Sequence, residues 1–168
     1  LSLLVSEATS TAPRDTGIRF GPVCGAVTTR SATVVAGLTL PGIPVDLRVS
    51  ESPDLRNPIA FASDTTRSES GLTVRFTIDG LQPNTRYYYG AEPRVGSGPE
   101  MKGEFSTYPE SWTVFSFTFG NSLKFDHPRL SALNGAAKEH AYFFLNTGDL
   151  FYADIVRNQP ALFRGAYR

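Results

Sequence analysis

Two oxygen-bearing side chains just past an apolar run are the residues of this sequence best placed to do chemistry. Residues 143–154 read Phe-Phe-Leu-Asn-Thr-Gly-Asp-Leu-Phe-Tyr-Ala-Asp. The run 141–145 has the length and composition of a buried strand, Gly148 stops it, and Asp149 follows at once. In open α/β sheets, ligands bind just outside the carboxyl ends of strands. A carboxylate at that point is placed to hold a metal ion. Tyr152 lies further along, where a turn would return its phenol oxygen to the same point. A structural reading competes: Asp is a favoured helix N-cap, and residues 150–156 could continue as a helix. Spacing alone leaves both readings open.

The elements that must position these residues form a short α/β layer. Residues 112–119 (Trp-Thr-Val-Phe-Ser-Phe-Thr-Phe) are strongly β-prone. Asp126 with Pro128 just behind it signals a helix start, and Leu130, Leu133 and Ala137 fall on one helical face. The strand ending at Asn146 comes next. Residues 112–145 therefore read as one β-α-β crossover with parallel strands. The loop after the first strand reads Phe119-Gly120-Asn121-Ser122-Leu123. His127 and His140, the two histidines of the chain, fall at the two ends of the helix and read as surface or capping residues. Residues 159–168 open another helix.

The first hundred residues carry a different pattern. Residues 18–20 and 23–28 suggest a strand broken at Gly21-Pro22. Ala32, Val34, Ala36 and Leu38 alternate with Thr33, Val35, Gly37 and Thr39, and Val45, Leu47 and Val49 alternate with Asp46, Arg48 and Ser50. Leu72, Val74, Phe76 and Ile78 alternate with Thr73, Arg75, Thr77 and Asp79 in the same way. Period-two alternation predicts half-buried antiparallel strands. Between them stand Leu40-Pro41-Gly42, Ser52-Pro53-Asp54 and Asp79-Gly80, all of them turn chemistry. Residues 93–99 form a further turn, and residues 101–107 a final strand. Strands at this spacing predict a β-sandwich. The domain reading is a flexible N-terminus over 1–16, a sandwich over 17–107, a linker over 108–111, and the α/β segment over 112–168.

Two motifs carry a family resemblance. Leu81-Gln82-Pro83-Asn84-Thr85-Arg86-Tyr87 resembles the Leu-x-Pro-x-Thr-x-Tyr segment of fibronectin type III domains. The resemblance makes Tyr87 a corner tyrosine whose hydroxyl returns to backbone upstream, with Tyr89 pointing inward beside it. Gly148-Asp149-Leu150-Phe151-Tyr152 resembles the Gly-Asp-x-x-Tyr block of purple acid phosphatases. With Ala153-Asp154 it is closer still to the Gly-Asp-x-x-Tyr-x-Asp block of PhoD-type alkaline phosphatases and phosphodiesterases. Both families place a sandwich before their catalytic domain, and residues 17–23 with 31–34 resemble its start.

The resemblance implies a fold and a chemistry. The fold is a fibronectin III- or immunoglobulin-like sandwich followed by the first β-α-β unit of an α/β metallophosphoesterase domain. The function is hydrolysis of phosphate mono- or diesters with two metal ions, iron with calcium, zinc or another divalent ion. Asp149 would bridge the metals and Tyr152 would give its phenolate to the ferric one. Asn121 or Ser122 stands where the families place their first Asp or Cys ligand, so either would bind metal or a substrate phosphate. Asp126 is an alternative source of the missing charge. The families' later histidine blocks have no counterpart here, and the chain reads as the N-terminal part of a longer enzyme. The alternative is a non-catalytic binding or spacer protein whose α/β segment is degenerate.

Composition narrows the partners. The 168 residues carry zero formal net charge, which gives no electrostatic footprint for nucleic acid or an anionic membrane. The Tyr87 to Tyr89 cluster matches a structural corner and has no basic patch around it, so it does not read as a nucleic-acid platform. The partner expected is a phosphate-ester small molecule. No run reaches the roughly 18 apolar residues of a transmembrane helix. The single cysteine, Cys24, excludes an internal disulfide and reads as a buried, inert thiol. Residues 1–5 followed by small polar residues suggest the remnant of an export signal. A secreted, periplasmic or cell-surface location is the expectation.

Overall fold

A computed structural model describes residues 17–95, 101–111, 114–121, 123–124, 130–149, 151–152 and 155–166. The expected flexible N-terminus, Asp126, His127 and Ser122 lie outside the described residues. Seven strands build the first part: β1 (Ile18–Gly25), β2 (Ala32–Leu38), β3 (Pro44–Ser50), β4 (Ala60–Thr65), β5 (Thr73–Ile78), β6 (Arg86–Pro93) and β7 (Met101–Ser106). They form a sheet of order β1-β2-β5 and a sheet of order β4-β3-β6-β7, with every pairing antiparallel.

Alternation becomes burial here, as the sequence pattern predicts. Pairing of β2 with β5 sets Val34 opposite Phe76 and Ala36 opposite Val74. These residues join Val45, Leu47, Val49, Tyr87 and Ala91 of the other sheet in one apolar cluster. Each fully buried Leu, Val or Phe side chain contributes roughly 1.5–3 kcal/mol of transfer free energy. Leu72 departs from the expected strand: it takes φ 66° in the turn before β5 and is only half-buried. The break at Gly21-Pro22 is a shift of register within one continuous β1 rather than an interruption. Gly103 pairs opposite Tyr89, and a Cβ at this glycine would lie 2.4 Å from the tyrosine ring. The aromatic side chain packs across the missing one.

The corner at residues 81–87 ties the sandwich to the α/β segment. Tyr87 is fully buried, and its hydroxyl accepts the Gln82 N–H at 2.9 Å. The buried Thr107 hydroxyl donates to Gln82 O at 2.6 Å and accepts the Thr85 N–H at 3.0 Å. Asn84, in the left-handed region at φ 49°, donates its N–H to Tyr108 O. Its side-chain oxygen accepts the Tyr142 hydroxyl at 2.9 Å. One corner loop therefore grips both the segment leaving the sandwich and the segment that leads to Asp149.

The second part holds β8 (Thr118–Gly120), β9 (Leu123–Lys124), α1 (Leu130–Lys138), β10 (Phe144–Asn146), β11 (Phe151–Tyr152) and α2 (Pro160–Ala166). Pro160 opens α2, where a missing N–H costs nothing. His140 follows α1 at φ 49°, the left-handed position that commonly ends a helix. β10 pairs with β8 in parallel, and α1 lies between them in the chain. Two expectations change. Among the described residues, the β-prone run yields a strand only from Thr118, since pairing with β10 begins there, and residues 114–117 have no regular structure. The strand expected to be buried over 141–145 is instead Phe144–Asn146 and exposed, because its sheet has two strands and no further described strand extends it. No helix among the described residues is long and apolar enough to cross a membrane.

Candidate active site

Parallel pairing brings two chain segments to one edge. Asn146 pairs with Gly120 at the carboxyl ends of β10 and β8, and Phe151 pairs with Leu123 where β11 meets β9. Between those paired positions the first segment has only residues 121–122, whereas the second has 147–150. The surplus is taken up by a turn, and the backbone enters positive φ at Gly148 and Asp149, with φ 145° and 39°. The Gly148 value lies in a region essentially reserved for glycine, and Asp is among the few side chains that tolerate left-handed backbone. Gly-Asp is thus the local sequence that permits the turn.

The base of the turn is hydrogen-bonded. Thr147 donates its N–H to Gly120 O at 2.9 Å, and its hydroxyl reaches the same carbonyl at 3.3 Å. The Asn146 amide, oriented by its neighbours, donates to Gly148 O at 3.1 Å and Gly120 O at 3.2 Å. Asn146 and Thr147 therefore hold the ends of the two strands level and fix the root of the Asp149 loop. Sequence reasoning gave neither residue a role. Their signal is the pair of polar side chains that interrupts an apolar run one step before the glycine.

The expected site residues divide as follows. Asp149 and Asn121 are both exposed and both sit at the carboxyl edge, on neighbouring segments. Tyr152 lies on β11, opposite Lys124 of β9, and its side chain is outside the described residues. That pairing speaks against the helix-cap alternative for Asp149, since Phe151–Tyr152 is a strand that runs parallel to β9. Cys24 is partly buried in the sandwich, where burial pushes the thiol up to about 11. Its thiolate population near neutral pH is small, as an inert role requires.

The donor set fits part of a metal site. A carboxylate and an amide oxygen are hard donors that suit hard cations. One negative charge is a fraction of what a dinuclear site needs. Among the described residues, no three of the His, Cys, Asp and Glu side chains come together.

No protein-family model matches the chain. Alkaline phosphatase D of Bacillus subtilis (strain 168) is 25% identical over 121 residues, 69% of this chain and 20% of that protein. The solved structure of PhoD superposes with a TM-score of 0.66 at 21% identity, covering 82% of this chain and 28% of that one. A fibronectin type III domain derived from the human KIAA0970 protein aligns with 60% of this chain and 77% of its own, at 13% identity and a TM-score of 0.36. The chain thus spans about a fifth of the length of the curated relative it matches.

Proposed function

We propose, for a chain that is PhoD-like in sequence and in fold, that it forms part of a metal-dependent phosphoesterase acting on phosphate mono- or diesters. In this reading residues 17–107 are the sandwich and residues 108–111 the linker. Residues from 112 onward open an α/β metallophosphoesterase domain with a β-α-β unit. The observation that carries the reading is the Gly148-Asp149 turn, which like Asn121 follows the carboxyl end of a parallel strand pair. A secreted, periplasmic or surface location goes with it.

Asp149 would bridge the two metals, and Tyr152 would contribute its phenolate to a ferric ion partnered by calcium, zinc or another divalent ion. When bound, the metal pair supplies Lewis acidity toward the phosphoryl group and lowers the pKa of the attacking water. Asn121, or Ser122 beside it, would hold a metal or donate a hydrogen bond to a phosphate oxygen and so orient the ester. Asn146 and Thr147 would keep the bridging carboxylate in place through the Gly120 carbonyl. In a protein of the relative's length, the remaining ligands come from segments outside these 168 residues.

The test uses the complete protein that carries this chain, an aryl phosphate ester and metal analysis. Asp149→Asn is expected to lower hydrolysis by about a hundredfold or more and to reduce bound metal. Unchanged hydrolysis would overturn the assignment of Asp149. A complete protein that takes up no iron, calcium or zinc would favour the binding or spacer reading, which the neutral side chains of Asn121 and Ser122 also suit.

A further inference from the structure

At the opposite end of the same strands, four aromatic rings close a circuit. The centroid separations are 6.2 Å for Tyr108–Tyr142, 6.2 Å for Tyr142–Phe115, 6.2 Å for Phe115–Phe143 and 6.3 Å for Phe143–Tyr108. Two of these contacts are edge-on, at 79° and 81°, and two are tilted, at 36° and 40°, so the four rings do not form one stack. Four points joined in a circuit of such sides have a common centre about 4.4 Å from each on average at most, inside the roughly 6 Å reach of a cation–π contact. All four rings line one cavity of about 540 Å³, and Glu110 lines it with them.

The walls are set before any ligand arrives. Tyr142 is held through its hydroxyl on Asn84 and its N–H on Ser116 O. Tyr108 is held by its N–H on Thr28 O and by the Asn84 N–H on its own carbonyl. Phe117 stacks on Phe143 at 5.2 Å and 13°. At Glu110, both Arg30 contacts go to Oε1, at 3.0 and 2.5 Å. Glu110 lines the cavity and Arg30 does not.

We infer that this aromatic box binds a quaternary ammonium group. Ring faces carry negative quadrupole density and attract a cation that gives up little hydration. A primary ammonium has three N–H donors to satisfy, and the box offers it mainly carbon. A quaternary ammonium has none, and its methyl groups match the apolar walls, with Glu110, the ion-pair partner of Arg30, at the cavity lining. The box sits at the amino ends of β8 and β10, away from the carboxyl edge that bears Asp149, and the inference is independent of the phosphoesterase reading.

The experiment titrates the purified protein with choline and with tetramethylammonium, followed by calorimetry or ligand-observed NMR. The neutral carbon isostere of choline, dimethylbutanol, serves as the control. Both cations are expected to bind, with the isostere at least about tenfold weaker. Phe115→Leu should weaken the cations by a similar factor while leaving the melting temperature unchanged, since Phe115 is half exposed. Equal binding of the isostere would overturn the inference, as would the absence of any cation binding. These two outcomes are read on the unaltered protein and do not depend on the variant folding. Where the cations bind, co-sedimentation with phosphatidylcholine vesicles that free choline competes away assigns the source to a lipid headgroup. Binding of choline without such co-sedimentation assigns it to a free solute.

Discussion

The sandwich and the segment after it spend their apolar residues in opposite ways. Among the described residues, the buried hydrophobic side chains of the core fall between Ala32 and Phe105, with Pro22 buried before them. Val114, Phe115, Phe117, Phe119, Phe144 and Leu145, equally apolar, are exposed. Both regions make regular backbone pairs, so hydrogen bonding does not separate them. What separates them is a facing layer. The sandwich presents one sheet to another, and alternation along each strand then buries every second residue. A parallel pair is normally covered on both faces, and here a two-stranded sheet stands with its large side chains open. Strand formation and core formation are separate events, and only the second removes apolar area from water.

That contrast can be broken, beginning with the largest effect. Leu47→Ala, in the fully buried centre of β3, is expected to cost about 2–5 kcal/mol by urea unfolding. A cost below that of a typical surface change would mean the sandwich core is not what holds the molecule. Thr107→Val removes the hydroxyl that serves both Gln82 O and Thr85 N–H. Losing those two part-buried bonds should cost about 1–3 kcal/mol, and a neutral result would show that water replaces the hydroxyl.

A smaller effect is alkaline. Burial holds the Cys24 thiol and the Tyr89 phenol protonated, raising them from 9.0 to about 11 and from 10.0 to about 12. Groups with raised folded-state values contribute stability that is fully present below the unfolded value and lost as pH rises through the folded one. Melting temperature should therefore fall between pH 9 and pH 11, and Cys24→Ala should make that first part of the fall shallower. An identical profile in the variant would rule the thiol out as its source. The smallest effect belongs to the other region. Leu145→Ala, exposed on β10, should change unfolding by no more than about 0.5 kcal/mol. A loss matching that of Leu47→Ala would erase the distinction between the two regions.

Much of the sandwich was legible without coordinates. Residues 32–38, 45–49 and 74–78 alternate with the period of the strand itself, so which of them face the core is a local property of the chain. Tyr87 was legible for a similar reason: the corner that satisfies its hydroxyl lies within the same short segment, at Gln82. β4 was missed, since Ala60–Thr65 has weak alternation and its large residue, Phe61, faces solvent at the sheet edge. The stop at Gly148-Asp149 was also visible, though its meaning was open between a helix cap and a ligand loop.

Where Asp149 lies relative to the paired strands needed the tertiary structure. Asp149 reaches the carboxyl edge because β10 and β8 pair in parallel and then resume pairing as β11 and β9 with two more residues on one side. That register is a relation between segments more than twenty residues apart, and no local pattern encodes it. The aromatic box is of the same kind, its rings drawn from positions 108, 115, 142 and 143 and joined only when the strands align. Residue type and period, acting over a few neighbours, determined which faces are apolar and where the chain turns. Which apolar faces find a partner, and which side chains meet across a loop, depends on the packing of distant segments, and only the folded structure decided it.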